Sequence, residues 1–480
     1  MSHGMHSRIS GTNRVPGYGP GQSRRVSRTA FSGPHPKALF DKFSILPFVA
    51  CVYSLIVSHL LDFFSQSAAP RSAATGDEGR LDSRLFWPAL AAISVTLAVQ
   101  NRSRLVLPPN IKCLAAYLAF AGASVLWAFS PDHSFLRYLQ QLMIVVSIVL
   151  PAMLASRNAD MMRALFFCFA FALILNLYFV YGGSVAMAIY GRKGLQIIGY
   201  EGYFNGKNYL GECAAPAILL SLHEVLQPGW GRRAFGALGV VIAVLLVNLS
   251  DSKTAFGLAL VSPILAWLTL LVRKATRLSP AMILLSVPIC WIVASHVSNF
   301  GFERLSYFLY HDSTLTGRTI IWNFSESEIA MRPLLGWGYQ SFWLVPNSPA
   351  YAEAPGFVKL MPNSHNGYYD TELELGYAGL AFLLIFILAT LHGVGRVAER
   401  DPRRAQLVLS LALFVILWNF FESIWMRGFE FLWVMFVIVA AEIARYWRPL
   451  PPGTAAPGSR RQKLASPDPS AGARMPLGLT

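Results

Sequence analysis

The chain has 480 residues, 54% of them hydrophobic and only 14% charged, with a formal net charge of +15. Soluble globular domains carry about 25% charged residues, so this composition excludes an ordinary soluble fold. The basic residues lie mostly in two terminal tails and in short segments between apolar runs, a pattern left by membrane insertion that argues against a nucleic-acid partner.

Residues 1–36 set Arg8, Arg14, Arg24, Arg25 and Arg28 among Gly, Ser and Pro. Such a segment buries no core and reads as a disordered cytoplasmic tail. The first apolar run starts late and lacks a small-residue cleavage site, so a secretory signal peptide is not expected. Residues 37–448 form the membrane domain. Apolar runs of roughly 17 to 22 residues match the hydrocarbon thickness of about 30 Å, and in lipid uninterrupted runs of that length mean helices. We place about twelve spans, near 43–61, 86–100, 111–129, 138–155, 164–182, 207–226, 234–250, 254–272, 281–298, 374–393, 405–420 and 428–446. The second and eleventh are short, and the sixth holds Glu212. Residues 449–480, with Arg460, Arg461 and Lys463, read as a second disordered cytoplasmic tail. The expected fold class is an all-α polytopic membrane protein.

Cys51, Cys113, Cys168, Cys213 and Cys290 each sit inside an apolar run with no CxxC pairing. They read as small buried hydrophobes rather than disulfides or zinc ligands. Loop charge sets the orientation. Arg102 and Arg104, Arg157 and Arg163, Arg232 and Arg233, Arg273, Lys274 and Arg277, and the group Arg396, Arg400, Arg403 and Arg404 fall in alternate loops. Placing these and both tails in the cytoplasm puts most basic residues inside. The longest internal loop, residues 299–373, is then external, together with 183–206 and 250–253. A loop of that length is functional or disordered, and its Trp, Tyr and Phe content favours an ordered one.

Three outer segments carry candidate chemistry. In Leu315-Thr316-Gly317-Arg318-Thr319-Ile320-Ile321-Trp322, apolar spacing places Arg318 in the first turn of a short surface helix. Gly336 and Gly338 lack a preceding strand and a third glycine, so they mark a tight turn and not a dinucleotide fingerprint. In Ser364-His365-Asn366-Gly367, His365 stands just before a membrane helix, beside Asn366 and nearby acids. A single loop arginine is usually a solvated charge, and a single histidine is usually structural. An imidazole here can nevertheless take a proton from an alcohol. Arg192, Lys193, Lys207 and Asn208 cluster around the next outer segment, and Lys253 opens another helix. Snorkelling side chains would explain each one singly. Several cations on the outer side oppose the insertion bias, and a shared anionic ligand accounts for them together, helped by helix N-termini. Transfer of a sugar from a lipid diphosphate needs positive groups at the departing diphosphate and a base for the acceptor hydroxyl. No Asp/Asp metal pair stands out in the outer loops, so cationic side chains are expected in place of a metal or other cofactor.

Gly317-Arg318-Thr319 with Trp322, then Arg332-Pro333-Leu334-Leu335-Gly336-Trp337-Gly338, then Ser364-His365-Asn366-Gly367-Tyr368 with Leu373-Glu374-Leu375-Gly376-Tyr377-Ala378-Gly379-Leu380, resemble the O-antigen ligase and polymerase superfamily. Tyr203-Phe204-Asn205-Gly206-Lys207-Asn208-Tyr209-Leu210-Gly211 and Ser250-Asp251-Ser252-Lys253-Thr254 look most like its exopolysaccharide-polymerase branch. The resemblance covers about residues 190 to 430. It implies a GT-C-like helical glycosyltransferase of the bacterial inner membrane with one large periplasmic loop. The donor implied is an undecaprenyl-diphosphate-linked glycan and the acceptor a glycan or lipid, with polysaccharide-assembly proteins as further partners. It implies inversion at the anomeric centre without a metal. By the same analogy Arg318 binds the donor diphosphate, and His365 orients or deprotonates the acceptor hydroxyl. Asn366, Arg192, Lys193, Lys207, Asn208 and Lys253 would contact substrate. Relatives often carry an arginine where this chain has Glu201 before Gly202; Arg192, Lys193 or Lys207 would take its task. Polymerisation of exopolysaccharide or O-antigen repeat units is the leading expectation, with ligation of glycan to lipid A core or another acceptor beside it. A transporter of lipid-linked oligosaccharide would have to rely on Asn176, Asn248 and Glu212, and an assembly scaffold would tolerate loss of Arg318 and His365.

Overall fold

The computed structural model describes residues 38–66, 81–182, 189, 192–193, 196–298, 317–428 and 430–447. The two expected tails lie outside the described residues. Helix α1 (Ile45–Val52) passes through a π-helical turn at Tyr53–Val57 into α2 (Ser58–Gln66). There follow α3 (Leu81–Gln100), α4 (Pro109–Ala123), α5 (Pro131–Leu154) and α6 (Met161–Tyr181). A two-residue hairpin, β1 (Arg192–Lys193) and β2 (Gln196–Ile197), precedes α7 (Lys207–Val225). The chain continues through α8 (Trp230–Leu249), α9 (Lys253–Thr276), α10 (Pro280–Ser298) and the loop helix α11 (Arg318–Met331). It closes with α12 (Gly367–Arg400), α13 (Pro402–Trp418) and α14 (Phe431–Arg445).

Each expected span coincides with helical chain, and the protein is a polytopic all-α membrane protein. Among the described residues, eight helices are long and apolar enough to cross a bilayer alone. The others fall short for visible reasons. Helices α13 and α14 have 17 and 15 residues, while α7 carries Lys207, Glu212 and Glu224. Every residue of α14 is buried, so it is sheathed by protein and not by lipid. By contrast α8, α9 and α10 turn Val241, Ile264, Trp267 and Ile289 outward, as lipid-facing surfaces do.

Lipid removes the hydrophobic drive between helices, so close packing relies on small residues. A Cβ on Gly236 of α8 would lie 2.8 Å from the Ser221 carbonyl of α7, and one on Gly211 would lie 2.8 Å from Ala255 of α9. One end of the bundle is stapled by ion pairs. Arg404 donates to Asp160 (2.7 Å) and Glu442 (2.8 Å), Arg232 grips Glu224, and Arg273 meets Glu399 (2.7 Å). Arg403 donates to the Leu226 carbonyl (2.7 Å) as well, so four of the loops assigned together on charge, around 157–163, 226–233, 273–277 and 396–404, do share one end.

At the opposite end the described part of the long loop folds around its own small core of Ile321, Phe324, Phe342, Trp343, Val358 and Leu373. Its two glycine-rich motifs turn out to be halves of one backbone crossing. Trp337 and Gly338 donate to the carbonyls of Leu373 and Glu374 (2.9 and 2.8 Å), and Tyr377 donates to Pro333 (2.8 Å). Gly376 interrupts α12 with φ 63°, and a Cβ there would stand 2.3 Å from the Leu334 carbonyl. Hence α12 starts at Gly367, before the expected 374, and bends where the loop crosses it. Gly376→Ala should cost about 1–3 kcal/mol from a backbone region that essentially only glycine adopts, with the steric contact in addition. Thermal unfolding in detergent should show a lower midpoint; an unchanged midpoint would contradict the crossing.

Candidate active site

The site is built where α11, the start of α12, α7 and the Asn419–Glu430 turn meet. Gly317, at φ 87°, turns the chain into α11, so that Arg318 is its first residue. Asn366 caps α12 by accepting from the Tyr368 and Tyr369 amides. Its side-chain oxygen is thus occupied in holding the helix start. The preceding His365 adopts φ 52°, a left-handed backbone uncommon for a side chain of this size, and its amide donates to Asn363 (2.9 Å). A non-glycine residue held in that region is overdetermined by its surroundings, a frequent feature of active sites.

Beneath His365 lies a buried ion network. Arg427 contacts Asp370 (3.2 Å) and Glu374 (2.7 Å), and all three are buried. Asp370 in turn accepts from the Ser364 amide (3.0 Å) and from the Trp343 indole (2.9 Å). The residue before His365 is thereby pinned from below.

Arg318 and His365 meet on one carboxylate that the sequence reading did not single out. Glu422 accepts from Arg318 Nη2 through Oε1 (3.0 Å) and contacts His365 Nδ1 through Oε2 (2.7 Å). Asn208 donates to the same Oε1 (3.2 Å). An ionised carboxylate only accepts, so the short contact assigns the proton to Nδ1 and leaves Nε2 as the basic nitrogen. Next to Asn208, Tyr209 donates its hydroxyl to Glu430 (3.0 Å). Glu422 sits in Asn419-Phe420-Phe421-Glu422-Ser423, an acid in a short turn between two apolar spans. That placement was the available signal.

The other expected residues divide. Lys207 points its ammonium at the Ile198 carbonyl (3.3 Å) and at Asp251, whose carboxylate lies 3.3 Å away. Lys253 is exposed at the first position of α9. The backbone of Arg192 and Lys193 forms β1, while their side chains lie outside the described residues. At the position where an arginine was expected, Glu201 is buried; Gly202 beside it takes φ 63°, and a Cβ there would strike the Asn176 amide. Among the described residues no group of three or more His, Cys, Asp or Glu is arranged to hold a metal ion.

The arrangement is that of a membrane protein with a polar cluster at one end of its helical bundle: a guanidinium and an imidazole joined through a carboxylate, with an amide beside them. Residues 238–384 match the family described as O-antigen ligase, a range that includes both Arg318 and His365. The chain is 27% identical over 312 residues to the exopolysaccharide production protein ExoQ of Rhizobium meliloti (strain 1021), covering 61% of this chain and 68% of that protein. It is 23% identical over 211 residues to a Rickettsia typhi protein provisionally named a polysaccharide ligase, covering 42% of this chain and 52% of that one. The likeness to the O-antigen ligase and polymerase superfamily read from the motifs is thus borne out, and these similarities support a membrane enzyme that processes polysaccharide.

Arg427→Met should leave Asp370 and Glu374 buried without a counter-charge, a loss of about 3–5 kcal/mol. Combining it with Asp370→Asn and Glu374→Gln should recover part of that loss in thermal unfolding. No recovery would mean that the arginine acts by packing alone.

Proposed function

We propose that the protein is an inverting, metal-independent glycosyltransferase that polymerises exopolysaccharide or O-antigen repeat units. It acts at the periplasmic face of the bacterial inner membrane, with an undecaprenyl-diphosphate-linked glycan as donor. The observation that carries this reading is the bridge Arg318–Glu422–His365, with contacts of 3.0 and 2.7 Å. The similarity to a protein named for exopolysaccharide production, over more than half of the chain, favours polymerisation.

In this mechanism Nε2 of His365 takes the proton of the acceptor hydroxyl as its oxygen attacks the anomeric carbon. The bond from that carbon to the diphosphate oxygen breaks on the opposite face, and the electron pair departs with the diphosphate. Glu422 holds the imidazole in its tautomer and stabilises the imidazolium that forms. Arg318 gives one N–H to Glu422 and has further donors in its fork for the leaving diphosphate. Asn208 fixes the far side of the Glu422 carboxylate. Lys207, Lys253, Arg192 and Lys193 belong to the same proposed outer face and extend its positive potential toward an anionic donor.

Arg318→Ala and His365→Ala should each abolish long-chain product while the protein stays in the membrane. Glu422→Gln, which keeps the shape but not the charge, should slow the reaction by about 10²–10⁴-fold, as loss of a histidine-orienting acid does elsewhere. Normal polymer from Arg318→Ala and His365→Ala together would remove the assigned roles. In a deletion strain, gel profiles should lose long chains and keep single repeat units. Intact lipid-linked polymer that never reaches its acceptor would instead indicate a ligase.

The orientation has its own test. A topology reporter placed near residue 350 should read as periplasmic and one near 275 as cytoplasmic, with both termini inside. The reverse pattern would put the centre on the wrong side for this chemistry.

A further inference from the structure

Helix α11 and the start of α12 run side by side away from the Glu422 bridge, and they carry two matched rows. On α11, Arg318, Trp322 and Glu326 follow one another at intervals of four residues, so they share a face. On the facing stretch, His365, Tyr369 and Glu372 follow at intervals of four and three. The rows pair in three tiers. Arg318 and His365 meet on Glu422. The rings of Trp322 and Tyr369 lie 5.9 Å apart, tilted by 40°. Tyr369 donates its hydroxyl to exposed Glu326 at 2.5 Å, and Glu372 lies within electrostatic reach of Glu326. The Trp322 indole also donates to the Ser364 carbonyl (3.0 Å), which ties the aromatic tier to the residue before His365. Trp322, Tyr369 and Glu372 are all partly exposed.

None of the second and third tiers is used by the transfer chemistry above. Half-exposed rings bordered by carboxylates suit a sugar, whose C–H face packs on an aromatic surface while its hydroxyls donate to acids. We infer that Trp322, Tyr369, Glu326 and Glu372 form a subsite for the terminal sugars of the acceptor, and that this subsite selects uncharged sugars over acidic ones. The inference rests on the proposed glycosyl transfer and adds the acceptor's position and charge. Positive groups gather where the donor diphosphate would lie, and negative groups gather one to two helical turns away. A uronic acid or a sugar bearing an acidic substituent would meet two carboxylates there, and like charges in contact supply discrimination against the wrong partner.

The test is binding, independent of turnover. Purified full-length protein in detergent is titrated by calorimetry with a neutral oligosaccharide and with one of equal length ending in glucuronic acid. The neutral probe should bind at least about tenfold tighter, as one like-charge contact near a protein surface provides. Glu326→Gln combined with Glu372→Gln should narrow the ratio to about threefold or less, and Trp322→Phe should weaken both probes. Equal or tighter binding of the acidic probe, a ratio unmoved by the double substitution, or no binding of either probe overturns the assignment. The outcomes separate this inference from the reaction itself. If His365→Ala still makes polymer while the charge preference holds, the reaction assignment alone fails. If His365→Ala is inactive and the wild type shows no preference, the acceptor subsite alone fails.

Discussion

The buried contact of Arg427 with Asp370 and Glu374 is the constraint on which the rest of the outer architecture depends. Three charges taken out of water are tolerable only when each is matched, and here the match joins the turn before α14 to the first two turns of α12. Asp370 passes the restraint upward through the Ser364 amide and sideways through the Trp343 indole. Thus one guanidinium couples the last membrane helix, the core of the long loop and the peptide that carries His365. Loop cores are small and would not hold such a geometry on apolar contact alone.

Above that anchor the charges alternate in a useful order. Glu422 lies between an arginine and a histidine, so it both positions the imidazole and moderates the positive field. Glu430 sits behind it, holding the Tyr209 hydroxyl. Both side chains that touch Glu422 from the loop are fixed by helix starts, Gly317 before α11 and the Asn366 cap before α12.

Much of this was legible in the sequence. Among the described residues each apolar run coincides with helix, and alternation of Arg and Lys grouped loops of which four are tied together by side-chain contacts. Arg318 in a first turn and His365 before a membrane helix both followed from local spacing. Glu422 did not, because its meaning lies in contacts with residues 104 and 57 positions away, which no local pattern encodes. The start of α12 was placed late for a related reason. Asp370 and Glu372 look too polar for a membrane helix, yet that turn lies beside the loop, and Asn366 caps it. The tight turn at Gly336 was readable but its pairing with Gly376 was not, since close approach of two backbones leaves no signature in either strip of sequence alone.

That crossing also sets the spacing of the two arms. The loop and α12 exchange amide-to-carbonyl hydrogen bonds in both directions and lack room for a single added carbon, which ties the chain after α11 to the second turn of α12. The Arg318 guanidinium and the His365 imidazole are held from below by that crossing and from the side by Glu422, whose own turn meets α7 through Asn208.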